Sequence, residues 1–105
     1  MSVTLKCKNN TVFAFLKGEI DHHSAPQLRE MIDDAVLNFE QAGELVLDFS
    51  DVTFMDSSGV GLVMGRYRTA ASNGKTLRVE NLSERDYRIM KMSGIEKIAC
   101  VSRRN

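Results

Sequence analysis

Tryptophan is absent from this 105-residue chain, proline occurs once and cysteine only twice. Cys7 and Cys100 stand far apart, without His or Cys partners at metal-ligand spacing. A disulfide framework and a zinc site are therefore excluded, and both cysteines are expected as small buried or half-buried hydrophobes in a reducing compartment. An excess of charge is also missing: 14 Lys and Arg balance 14 Asp and Glu. A nucleic-acid binder shows a basic surplus. The pairs Arg66/Arg68 and Arg103/Arg104 are too small for that and are expected as solvated surface. No apolar run approaches the ~20 residues that span a bilayer. The N-terminal Met1–Asn10 stretch has no apolar core of a signal peptide. These absences predict a cytoplasmic protein without direct contact to nucleic acid or membrane.

What remains is 43% apolar and 27% charged, the balance of an ordinary globular protein. The length suits a single domain over 1–105 with one core. Val3 to Cys7 alternates apolar and polar residues, Asn9-Asn10 signals a turn, and Thr11 to Ile20 forms a second strand, giving an antiparallel hairpin. Ser24 as cap, Pro26 in the first turn and Gln27 open a helix. Its apolar stripe is Leu28, Met31, Ile32, Ala35, Val36 and Phe39, and Gly43 stops it. Glu44 to Phe49 is a nearly continuous apolar run, the mark of a central strand buried on both faces. Ser50-Asp51 is expected to break it before Val52 to Met55.

From Val60 the period is helical, with Val60, Val63, Met64, Tyr67, Ala70 and Ala71 on the core side. The other side carries Gly61, Gly65, Thr69, Ser72 and Leu62. Each glycine costs ~1 kcal/mol relative to alanine in a helix. A smooth face approached closely by another backbone or protein accounts for that cost. Asn73-Gly74 ends this helix and Lys75 to Glu80 is a strand. Ser83 caps a third helix with Asp86 at its third position and Leu82 stapled to Tyr87. Gly94 closes that helix, and Ile95 to Val101 gives the last strand, close enough to Asn105 that no full terminal helix is expected. The order ββαβαβαβ is α/β, a mixed sheet with alternating helices. Met90 and Met92 are expected as core or rim side chains with some capacity for partner contact.

The chemistry concentrates in Phe54-Met55-Asp56-Ser57-Ser58-Gly59-Val60-Gly61, where an apolar strand runs into paired serines opening a helix. Free N–H groups at a helix start suit a phosphoryl group. Ser57 either caps the helix or receives a phosphate from a kinase. With no dense arginine cluster beside it in sequence, a phosphate would mainly repel a partner. Nucleophilic catalysis would need His22 or His23 as base with Asp21 or Asp56 as orienter. The context Asp-Ser-Ser-Gly is not a hydrolase elbow, however. Adjacent histidines are not a zinc pair, and Gly59-x-Gly61-x-x-x-Gly65 is not a dinucleotide fingerprint.

Gly18 to Ala25, Phe54 to Gly61, Gly65-Arg66-Tyr67 and Met92-Ser93-Gly94-Ile95 together resemble the STAS-domain anti-sigma factor antagonists. Asp21-His22-His23 resembles the sporulation branch, which acts on sigma-F, more than the stress-response branch. The resemblance implies a STAS fold and a binding module with no catalytic residue, metal or cofactor. Its implied partner is an anti-sigma factor that is also a serine kinase, bound to ATP or ADP. That kinase would phosphorylate Ser57 and end binding, and a PP2C-type phosphatase would restore it. Asp21, Asp56 and Ser58 would belong to the docking site, and Gly59, Gly61 and Leu62 would line the kinase-facing surface.

Overall fold

A computed structural model describes residues 2–105. Strands β1 (Ser2–Lys8) and β2 (Thr11–Ile20) form the expected hairpin, with Lys8 opposite Thr11. Asn9 and Asn10 both take positive φ, 51° and 66°, as a two-residue hairpin turn of this hand requires. Helix α1 (Ala25–Asn38), strand β3 (Glu44–Met55), helix α2 (Ser58–Ser72), strand β4 (Thr76–Leu82), helix α3 (Glu84–Ser93) and strand β5 (Cys100–Arg103) follow. The sheet order is β1-β2-β3-β4-β5, antiparallel at β1/β2 and parallel elsewhere. Each helix bridges neighbouring parallel strands, and right-handed crossovers taken in one direction across a sheet bring the helices to one face. Alternate strand residues such as Leu16, Leu47 and Val79 meet Leu28, Ile32 and Val63 of the helices in one buried core.

Several expectations need correction. β3 does not break at Ser50-Asp51. The Asp48 carboxylate accepts from the Ser50 backbone N–H at 2.9 Å and from Asn81 Nδ2 at 2.8 Å. Turn-forming residues so satisfied let the strand continue, and the irregularity falls instead on its pairing with β2, whose register shifts twice. Gly18, at φ 97°, sits at the second shift, where a left-handed backbone suits a bulge. Ile95–Lys97 is a 3₁₀ turn, and only Cys100–Arg103 pairs as a strand. Gly94, left-handed at φ 85°, ends α3, and the fully buried Ile95 anchors the turn in the core. The apolar period there reflects that anchor. In α1, Met31 is exposed, as is Phe39 just past its end, while Leu28, Ile32, Ala35 and Val36 are buried. Met90 is buried and Met92 is 87% exposed. Both cysteines are exposed, Cys7 near the hairpin turn and Cys100 at the start of β5.

The buried stripe of α2 is Gly59, Leu62, Val63, Arg66 and Ala70. It is rotated from the expected one because α2 packs beside α1 as well as on the sheet. Leu62 is therefore buried, at 4% exposure, and Ala71 is exposed. Arg66, expected in solvent, is also 4% exposed. Its Nε lies 2.7 Å from Asp33 Oδ1 of α1, a close ion contact without hydrogen-bond alignment. Burial pulls the Arg66 pKa down from its ordinary value, and the Asp33 carboxylate opposes that shift.

Asp33→Ala would strand this guanidinium. The expected loss is about 1–3 kcal/mol, less than for a fully buried pair because Asp33 retains 28% exposure. Combining Asp33→Ala with Arg66→Met should recover most of it. Urea denaturation of the single and double variants checks this, and equal losses would count against a role for the pair.

Candidate functional site

The last register pair of β2 and β3 is Ile20 with Met55, and the Asp56 N–H donates to the Ile20 carbonyl at 3.1 Å. Asp21 and Asp56 are therefore the first residues beyond the carboxyl ends of two adjacent parallel strands. Such ends are the usual place for sites in α/β sheets. Each aspartate turns its carboxylate back on the chain that follows. Asp21 Oδ1 accepts from the N–H groups of His23 and Ser24, both at 2.9 Å. Asp56 Oδ1 accepts from the Ser58 N–H at 2.8 Å.

The capping roles expected of Ser24 and Ser57 are thus held by aspartates. A capping side chain needs an extended backbone at its own residue. Ser83 has one (φ −61°, ψ 161°) and accepts from the Asp86 N–H at 3.1 Å, as expected from the sequence. Ser57 has a helical backbone (φ −61°, ψ −18°) and its hydroxyl makes no capping bond. Ser24, buried and likewise helical, donates its hydroxyl to the Glu19 carbonyl at 3.0 Å. The N–H groups opening α2 are occupied too. Gly59 N–H donates to the Asp56 carbonyl and Val60 N–H to the Ser57 carbonyl, at 3.0 and 3.1 Å. The helix start therefore offers fewer free donors for a phosphate than the sequence suggested. Ser57 stands exposed beside the half-buried Asp56.

The remaining candidates divide by depth. Ser58 is half-buried and Gly61 is exposed, with open space where its Cβ would be. Gly59 is buried, and a Cβ there would collide with Met55 Cγ and Sδ. Gly59 thus supports the surface from beneath, while Leu62, though buried, reaches the lining of the cleft between α1 and α2. His22 and His23 are exposed with ring centroids 4.0 Å apart. Among the described residues the Ser57 hydroxyl has no hydrogen bond to either imidazole, and no cluster of three His, Cys, Asp or Glu could hold a metal. A shallow hollow of about 860 Å³ near Lys75, Glu96 and Cys100 contains none of these candidates.

Arg85 is a neighbour the sequence did not reveal. Its guanidinium donates to the Met55 carbonyl at 3.1 Å and stands 5.6 Å from the centroid of the exposed Phe54 ring. No local pattern signals that contact, because α3 meets the end of β3 only in the folded chain. On the other side, Ser58, Gly61 and Gly65 line a cleft of about 420 Å³ between α1 and α2.

The family model described as STAS domain matches residues 2–103. The chain belongs to the STAS-domain family. Among STAS relatives, the anti-sigma-B factor antagonist of Bacillus subtilis (strain 168) is 36% identical over 97% of this chain and 91% of that protein. The anti-sigma F factor antagonist of Paenibacillus polymyxa is 31% identical over 93% of this chain and 83% of that protein. The anti-sigma factor antagonist SpoIIAA in its unphosphorylated form superposes with a TM-score of 0.79 at 31% identity, covering 95% of this chain and 87% of that one. SpoIIAA in its phosphorylated form gives 0.73 at 31% identity, covering 95% and 90%. The STAS fold expected from the sequence is the one observed, with five strands and three helices in the order ββαβαβαβ.

Two outcomes follow from the aspartate caps. Ser57→Ala should change stability by no more than about 0.5 kcal/mol, whereas Asp56→Ala should cost about 1 kcal/mol through the lost cap, both read by urea denaturation. The Ser24 N–H holds the Asp21 carboxyl below the ordinary value of 3.8 against a smaller effect of burial, and the His23 N–H and imidazole charges help. A lowered carboxyl stabilises the fold above its unfolded pKa and loses that contribution as pH falls through the folded value. On acidification the His23 and Ser24 amide NMR signals should show a step below the ordinary carboxyl value of 3.8, and Asp21→Asn should abolish that step.

Proposed function

We propose that the protein is an anti-sigma factor antagonist that docks on an anti-sigma factor with serine kinase activity, bound to ATP or ADP, when Ser57 is bare. Phosphorylation of Ser57 by that kinase ends docking, and a PP2C-type phosphatase restores it. The protein itself acts by binding, without a catalytic residue or cofactor, in the cytoplasm. Asp21, Asp56, Ser58, Gly61 and Leu62 form the contact surface, and Gly59 lets α2 pack closely beneath it. The sigma factor released is sigma-F, on the strength of the Asp21-His22-His23 segment.

The observation that carries this proposal is the state of Ser57: exposed, without a capping role, and next to a carboxylate already spent on the backbone. A kinase can reach such a hydroxyl without unfolding the site. The phosphate adds about −1.5 to −2 charges at a place where Asp56 is already negative and the nearest helix N–H groups have partners. Enclosing that anion in a protein contact costs several times the ~1.4 kcal/mol that changes affinity tenfold. The similarity to SpoIIAA, solved both without and with phosphate, supports the same switch here.

A second assignment of the partner has its own support, since the Bacillus subtilis relative at 36% identity is an anti-sigma-B factor antagonist. The switch is then the same and the sigma factor differs. Parallel titration calorimetry against a sigma-F-type and a sigma-B-type anti-sigma kinase with ADP separates the two. Ser57→Ala should bind like the bare wild type, and Ser57→Asp at least tenfold more weakly. After incubation with kinase and ATP, peptide mapping should place the phosphate on Ser57. Equal affinity for the aspartate variant, or a chain that takes no phosphate, would count against the switch.

A further inference from the structure

We infer that the cleft between α1 and α2 receives a carboxylate-bearing segment of the anti-sigma partner, an inference that rests on the docking function proposed above. The cleft is cationic in a chain whose net charge is zero. Arg29 from α1 and Arg66 and Arg68 from α2 line it together with His22, and no Asp or Glu does. Arg66 is held from behind by Asp33. Arg29 and Arg68 are exposed, and among the described residues neither has a carboxylate within ion-pair distance. Their charge is left for something outside the chain.

The floor of the cleft is as informative as its rim. Gly61 and Gly65 lie one turn apart on α2, and a Cβ at either would meet nothing within 4 Å. Alanine would fit at both positions and favour the helix, so these glycines serve close approach from outside. The volume, about 420 Å³, suits a few side chains. Ser58 joins the cleft to Ser57, making it continuous with the proposed contact surface. Arginine pairs bidentately with carboxylates and is less strongly hydrated than lysine, which favours a planar carboxylate as the occupant.

The test is a titration of the anti-sigma kinase with ADP, at low and moderate salt, against wild type, Arg29→Glu/Arg68→Glu and Arg29→Lys/Arg68→Lys. Wild type is expected to bind with an affinity that falls as salt rises. The double glutamate variant should bind about thirtyfold or more weakly with a flatter salt dependence, and the lysine variant, which keeps the charge and loses the bidentate fork, should fall between it and wild type. Both arginines are exposed, so all three proteins should share one thermal midpoint. Reversing the partner's carboxylates one at a time should restore affinity to the glutamate variant at the segment that fills the cleft. Glutamate-variant binding within twofold of wild type, or no restoring reversal on the partner, overturns the inference while leaving the docking function standing. Failure of wild type itself to bind overturns both.

Discussion

The hydrogen bond from the Asp56 N–H to the Ile20 carbonyl ties the ends of β2 and β3 together, and the rest of the site depends on it. Because the strands are parallel and stop in register, the chain leaves both at the same edge of the sheet. Each exit begins with an aspartate that folds its carboxylate onto the next backbone N–H groups and starts a helix. The α1 and α2 openings are thus built alike from two distant stretches of sequence. One exit carries the histidines and the other the serines.

That arrangement settles which side chains are committed to structure and which are left over. The aspartates hold the turns, Gly59 lets α2 approach Met55, and Leu62 and Arg66 fill the seam against α1. Ser57 has no such duty. A residue with no structural task can carry a modification without loss of fold, and here its surroundings make an added anion conspicuous. The cationic cleft lies on one side of it and the Arg85–Phe54 contact on the other.

Much of this was legible in the sequence because it is local. The hairpin turn at Asn9-Asn10, the Ser83 cap and the Gly94 stop are set by residues within a few positions of one another. The Asp-Ser-Ser-Gly stretch likewise falls where expected, at the junction of β3 and α2. What was misjudged depends on a second element. Helical period alone put Leu62 outside, because it assumes one buried face, whereas α2 is covered by both the sheet and α1. Arg66 looked solvated because its partner Asp33 sits in another helix. Ser57 and Ser24 looked like caps because residue type was visible and backbone angle was not.

The two exposed thiols have a practical side. Cys7 lies on β1 near the hairpin turn, and Cys100 borders the hollow by Lys75 and Glu96, which holds none of the candidate residues. Neither adjoins Ser57 in the fold, so each offers a native attachment point for a dye or spin label. The molecule comes supplied with its own reporters, placed to watch a complex form without standing in its way.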